Sequence, residues 1–486
     1  MKFEPTFDSL QQYTCPDWFR DAKFGIWAHW GPQGVPMQGD WYARNMYFPG
    51  HETNKFHTET YGHPSEFGYK DIIPLWTCEN FDAQALVRKY KAAGAKYFVS
   101  MGVHHDNFDL WNSNHHRWNA VNFGPKRDIV GEFRDATRGE GLRFGVTEHL
   151  ERAYSWMNTN KNADPDGPMA GVPYDGHDPD YRDLYFPPHD DMNRQYPRNP
   201  PAWWTQQWLD RINDLVDQYD PDLLYTDGAI PFGEVGRSML AHFYNKNIVR
   251  RGGQLEAVYN LKSYHNTKKA GPKPEFGQAF GGHGEYVEGI GVLDLERGGI
   301  DDISAEPWQT DTCIGGWYYK QGLTYKSPQL IIHMLADIVS KNGNLLLNFP
   351  GRTDGTLDEQ EHAILDELAD WFAINSEAIH GTRPWHTYAQ GQKFPTGDFT
   401  EPEQSPLGDG DYRFVTKGEN TLYAIAMGWP AQGVFHLTAL QDERVANVEL
   451  LGCDSVIDWT QDNSGVKIIA PDTKPCGLAY SIKLSF

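Results

Sequence analysis

Short apolar runs that stop abruptly at a polar or ionisable residue recur through the first three quarters of the chain, with helical segments between them. Lys23-Phe24-Gly25-Ile26-Trp27-Ala28-His29-Trp30 reads as a strand ending in His29. Asp82 is suited to cap a helix over 83–93, with Gly94 as its stop. A second strand over 97–101 runs into Gly102-Val103-His104-His105-Asp106. A helix follows Asp128, a third strand covers 142–146, and a helix near 203–218 leads into Leu223-Leu224-Tyr225. That run breaks at Thr226-Asp227-Gly228, where an acid ends a buried strand and a glycine permits a sharp turn. Further strands are expected over 255–260, 292–296 and 344–348, with helices over 329–340 and 358–374. Repeated strand–helix units without a GxGxxG motif point to a (β/α)8-like, TIM-type barrel. In such a barrel the carboxyl ends of the strands form the active face, and His29, His104, Asp227 and Glu296 all end strands.

After about Arg383 the texture changes. Short runs at 412–416, 422–427, 434–440, 448–451, 466–469 and 480–484, separated by turn residues, signal an antiparallel β-sandwich. The expected organisation is a catalytic barrel over 1–383 and a β-sandwich over 384–486 that packs against it. The stretch 158–201 is rich in Asn, Asp, Pro, Gly and Tyr and has no helical period, which fits a binding loop or a surface insertion equally.

Charge narrows the partners. With 43 Lys and Arg against 66 Asp and Glu, the net charge of −23 repels nucleic acid and anionic lipid. No apolar run is long enough to span a bilayer, and Met1-Lys2-Phe3-Glu4-Pro5 has no signal-like apolar stretch. The expected setting is cytoplasmic, or periplasmic or secreted after loss of a leader. A homo-oligomer is compatible with this composition. Five cysteines without a CxxC pair fit neither a disulfide framework nor a zinc knuckle. Aromatics reach 14%, with 17 Trp, and aromatic faces suit either a large core or the C–H faces of sugars.

A barrel face carrying His, Trp, Asp and Glu, with no phosphate motif, suits glycoside hydrolysis, which needs one ionised and one protonated carboxyl. Asp227, short and held at a strand end, is the candidate nucleophile. Glu285, Glu288, Glu296 and Glu306 are candidates for the acid, and Glu296 best ends a strand. Adjacent His104 and His105 point to opposite faces of a strand and do not match a helical zinc pair, so hydrogen bonding to sugar hydroxyls is expected and no metal or other cofactor is called for.

Several segments resemble the family 29 α-L-fucosidases. Phe24-Gly25-Ile26-Trp27-Ala28-His29-Trp30-Gly31 is similar to FGIFxHWG, and Trp41-Tyr42 to EWY. Gly94-Ala95-Lys96-Tyr97 with His104-His105-Asp106-Asn107-Phe108-Asp109-Leu110-Trp111 is similar to GAKY…HHDGFxLW, and Gly141–Val146 to GLRFGxY. Trp308-Gln309-Thr310-Asp311-Thr312 resembles PWE…T, and Gly343–Asn348 resembles GNLLLN. Glu377–Arg383 with Trp385 resembles GEAIYGTRxW. The resemblance implies a retaining exo-α-L-fucosidase acting on a fucosylated glycan, with Asp227 of Tyr225-Thr226-Asp227-Gly228 as nucleophile and Glu296 as acid/base. It puts sugar contacts at His29, Trp41, His104 and His105, and extends them to Tyr225 and Trp308. The chain departs from the pattern at Asp40, where many members have Glu, and at Thr147-Glu148-His149, where many have Tyr-Tyr-Ser. Glu148 or His149 is then expected to take over a sugar contact, and Lys262 to stand near a usual Arg. A sibling activity on α-L-galactosides or sulfated fucans, or a non-catalytic fucose-binding barrel, is the alternative.

Overall fold

The computed structural model describes residues 2–193, 196–262, 284–397, 399–403 and 405–486. Eight parallel strands close into a barrel in chain order: β1 Phe24–Ala28, β2 Tyr97–Val103, β3 Arg143–Glu148, β4 Leu223–Thr226, β5 Val258–Leu261, β6 Val292–Glu296, β7 Trp308–Cys313 and β8 Gly343–Asn348. The circle is completed where Phe24–Trp27 of β1 lie beside Leu345–Asn348 of β8. The expected barrel is therefore present, with one strand the apolar pattern did not signal. That strand, β7, reads Trp-Gln-Thr-Asp-Thr-Cys, with polar side chains turned into the barrel.

The strands are buried almost throughout, because helices cover the outside and side chains fill the inside. Gly25 is part of that filling. A Cβ there would meet the Tyr97 ring at 2.3 Å, so the glycine lets Tyr97 cross the barrel and donate to Gln309 Oε1 at 3.0 Å. The covering helices start at side-chain caps. Asp82 accepts from Ala85 N, Asp128 from Gly131 N and Ser327 from Leu330 N, and Asp358 forms a capping box with Glu361.

The C-terminal part is two antiparallel sheets. The strands are β9 Arg383–Gln390, β10 Tyr412–Thr416, β11 Thr421–Ala426, β12 Val434–Leu437, β13 Asn447–Leu450, β14 Trp459–Asp462, β15 Gly465–Ile469 and β16 Tyr480–Ser485. One sheet has the order β13-β16-β11-β10-β9 and the other β12-β15-β14. Phe414, Leu422, Phe435, Leu437, Val466 and Ile482 join a core of their own. Against the barrel, Arg413 and Lys341 meet the Asp337 carboxylate at 2.5 and 2.8 Å. A second seam lies beside β6. Phe399 N donates to Glu296 O at 2.9 Å, Thr400 N to Arg297 O at 3.0 Å, and Gly397 N to Gly299 O at 2.7 Å. The buried Glu401 carboxylate accepts from Arg297 Nε at 2.9 Å and from Thr312 Oγ1 at 2.7 Å. The C-terminal part thus does more than pack, because it clasps one strand end of the barrel.

The described residues of the 158–201 stretch form short turns and single-turn helices tied to the barrel rim. Asn158 Nδ2 donates to His189 O, Arg44 to Met192 O, and Tyr47 and Tyr185 hydroxyls to Asp175. Among the described residues no helix is long and apolar enough to cross a membrane.

Candidate active site

Each barrel strand delivers polar groups to the same mouth. His29 follows β1, His104 and His105 follow β2, Glu148 ends β3 with His149 after it, Asp227 follows β4, Lys262 follows β5, Glu296 ends β6, Asp311 lies in β7 and Asn348 ends β8. Their common cause is the parallel order of the strands, which brings all eight carboxyl ends and the turns after them to one end of the barrel.

Asp227 is buried, yet cations surround it. Lys262 Nζ donates to Oδ1 at 2.8 Å and Arg152 Nη2 lies 3.2 Å from Oδ2. His105 Nε2 and His149 Nδ1 each lie 3.5 Å from the same Oδ2. Burial alone raises a carboxyl pKa, but here Arg152 and Lys262 outweigh it and hold Asp227 well below the usual carboxylate range. Lys262 also donates to Glu296 Oε2 at 2.6 Å. Burial pushes Glu296 up to about 7, against the pull of Lys262 and with the help of Asp311 and Asp227. Two carboxyls on one lysine are thus driven apart, one ionised and one poised to hold a proton at neutral pH.

The imidazoles form a wall. His29 Nδ1 meets Asn348 Oδ1 at 3.1 Å, and Gln33 Nε2 meets His104 Nδ1 at 2.8 Å. His105 Nδ1 meets the His149 carbonyl at 2.6 Å. A carbonyl only accepts, so His105 carries its hydrogen on Nδ1 and turns Nε2 toward Asp227. Both ring nitrogens of His149 are buried without a hydrogen-bond partner, which is costly unless a ligand supplies one. Burial holds all four rings in the neutral form, His105 down to about 3. Nitrogens of His29, His104 and His149 lie within 4.8 Å of one another, as do those of His105 and His149 with an Asp227 oxygen, so either group could take a metal ion as well as sugar hydroxyls. Trp41, in the left-handed region at φ 63°, presents its edge to Trp156 and His105 at 5.8 and 6.2 Å. Asp40, half-buried beside His104 Nε2 at 3.9 Å, is raised to about 8 by burial.

Three of the expected residues stand apart from this wall. The Glu148 carboxylate is fully buried and accepts from Trp208 Nε1 and Leu150 N at 3.1 Å, so it faces the covering helix Ala202–Tyr219. His149, the other residue expected to take the sugar contact, faces the pocket. Trp308 begins β7, and its indole donates to Lys341 O at 3.0 Å. It therefore stands roughly 16 Å of strand from the carboxyl end and is a packing residue. Tyr225 is buried beneath the pocket, its hydroxyl 3.1 Å from Asp311 Oδ2. Of the other glutamates weighed for the acid, Glu285 pairs with Arg237, while Glu288 and Glu306 are exposed.

Sequence reasoning missed Arg152, Trp156, Gln33, Asn348 and Asp311. Arg152 and Trp156 sit on the turn and one-turn helix after β3, and nothing in their local pattern marks a return to the pocket. Asn348 and Asp311 lie within the GNLLLN-like and PWE-like segments, and for Asn348 its place at a strand end was the available signal.

A family model described as Alpha-L-fucosidase matches residues 1–377, and one described as Alpha-L-fucosidase C-terminal domain matches residues 406–485. The chain is 26% identical to the tissue alpha-L-fucosidase of Mus musculus, covering 100% of this chain and 95% of that protein. It is 27% identical to the plasma alpha-L-fucosidase of Homo sapiens, covering 100% and 92%. A crystal structure of Thermotoga maritima alpha-fucosidase in complex with a mechanism-based inhibitor shares the fold, with a TM-score of 0.74, 24% identity and full coverage of both chains.

Proposed function

We propose that this chain, which belongs to the alpha-L-fucosidase family of glycoside hydrolases, removes terminal α-L-fucosyl residues from glycans with retention, through a covalent glycosyl-enzyme. One observation carries the mechanism. Asp227 Oδ1 and Glu296 Oε2 bond the same Lys262 nitrogen at 2.8 and 2.6 Å, so they lie no farther apart than the sum of the two, about 5.4 Å. A separation of about 5–5.5 Å suits a nucleophile that attacks the sugar directly, whereas inversion needs room for a water at about 6.5–9.5 Å.

Asp227 attacks the anomeric carbon while Glu296 gives its proton to the leaving oxygen. Glu296 then takes a proton from the water that releases the sugar. Lys262 and Arg152 keep Asp227 ionised for attack. His29, His104, His105 and His149, neutral and each with one donor and one acceptor, bind the sugar hydroxyls, and Trp41 closes on its C–H face. Release of fucose from an aryl α-L-fucoside, followed by NMR, tests this. The first-formed anomer is expected to keep the substrate's configuration. An inverted first product removes Asp227 from the nucleophile's role.

A further inference from the structure

The pocket floor holds a second pair of carboxyls that this reaction leaves unused. Asp294 of β6 and Asp311 of β7 are each 1% exposed. Gln309 Nε2 donates to Asp294 Oδ1 at 2.8 Å, and Gln309 Oε1 is taken by the Tyr97 hydroxyl. The Tyr225 hydroxyl lies 3.1 Å from Asp311 Oδ2 and 3.4 Å from Asp294 Oδ2. It has one hydrogen, so it serves one carboxyl at a time. Both carboxyls thus crowd one hydroxyl, and the charge of each acts on the other. Side by side in a dry barrel they cannot both ionise, and such a pair keeps a proton.

The neighbours decide where it sits. Asp294 faces the neutral Gln309 and Tyr225, whereas Asp311 Oδ2 lies 3.7 Å from Lys262 Nζ. Burial and Asp311 together push Asp294 well above the usual carboxylate range. Lys262 has three N–H bonds and three carboxyls before it, Asp227, Glu296 and Asp311.

We propose that Asp294 and Asp311 hold one proton between them, and that Asp311 acts as a positioning residue, keeping the Lys262 ammonium between Asp227 and Glu296. This rests on Asp227 and Glu296 being the reacting pair. The charge of Asp311 also reaches Glu296. So do those of Asp227 and Asp40, opposed by Lys262 and Arg297, with the Cys313 thiol nearby. Removing Asp311's charge leaves Glu296 easier to ionise.

In Asp311→Asn, the alkaline limb of kcat/KM on a natural fucoside is therefore expected about half a pH unit or more below wild type, with kcat lowered about tenfold. Asp294→Asn, which copies a protonated carboxyl, is expected to stay within about twofold of wild type with the limb unmoved. A limb that stays put in folded Asp311→Asn, or that moves equally in both variants, overturns the proposal. Infrared difference spectra at pH 7 count protonated carboxyls without using activity. Asp294→Asn is expected to lose one acid C=O band and Asp311→Asn to keep it, because burial and neutral neighbours hold the proton on Asp294. No lost band in Asp294→Asn overturns the pair, and that variant suffices should Asp311→Asn fail to fold. Normal turnover by Asp227→Ala overturns the reaction scheme instead, and leaves the infrared count untouched.

Discussion

Two buried ion clusters in this protein are built on opposite rules. In the barrel mouth, one ammonium faces three carboxyls, and a nearby ring is left waiting. His149 has two ring nitrogens without a hydrogen bond. At the seam with the C-terminal sheet, one carboxylate, Asp337, faces two cations. Their remaining donors go to carbonyls, Arg413 to Tyr412 O and Gln392 O, and Lys341 to Ile300 O. The seam is satisfied as it stands and so holds parts together. The mouth is short of partners, and burial without partners is what spreads its pKa values and readies it for a ligand.

Removing a carboxylate from each cluster should separate these two kinds of loss. Asp227→Ala is expected to lower kcat/KM on an aryl fucoside by on the order of 10⁴-fold, about 5 kcal/mol, while the denaturation midpoint stays near wild type. A loss below tenfold would contradict its role. Asp337→Ala strands the buried charges of Arg413 and Lys341 and is expected to cost about 3–5 kcal/mol of stability in urea unfolding. Its activity per folded molecule should survive, and a stable but inactive Asp337→Ala would erase the contrast. Glu296→Ala should lose about 10²–10³-fold on a natural glycoside, spare substrates with good leaving groups, and recover with azide. In wild type the acid works only when protonated, so kcat/KM should fall tenfold per unit above about pH 7, the value to which burial lifts Glu296. A flat profile to pH 9 would move the proton to another group. Glu401→Gln, at the clasp, is expected to cost about 1–2 kcal/mol of stability and only a few-fold in kcat, read by thermal unfolding and steady-state rates.

The barrel was legible where its strands are apolar runs, because burial on both faces leaves a continuous hydrophobic signature. β7 was hidden for the converse reason. Gln309 and Asp311 point into a polar barrel floor, so the strand that contributes most to the carboxyl network has the least strand-like composition. β9 was hidden by Pro384 and by exposed His386 at the edge of its sheet. In the pocket, the strand-end rule pointed to His29, His104, Asp227 and Glu296, and the family resemblance to Lys262. The resemblance misled where position and direction part company. Glu148 ends a strand but turns toward Trp208, and Trp308 belongs to a strand that reaches the mouth only at its far end. Arg152 was invisible because its partnership with Asp227 is a matter of how the chain turns after β3.

The clasp on β6 has a consequence in time. A chain made from its amino end has all eight barrel strands once Asn348 has appeared. Glu296 and Arg297 still lack the backbone donors of Phe399 and Thr400 and the carboxylate of Glu401. Asp227's surroundings, Arg152, Lys262 and the histidines, are complete with the barrel, whereas those of Glu296 are finished about fifty residues later. The order of synthesis therefore completes the surroundings of the two proposed reacting carboxyls one after the other, and the later piece is the clasp on β6.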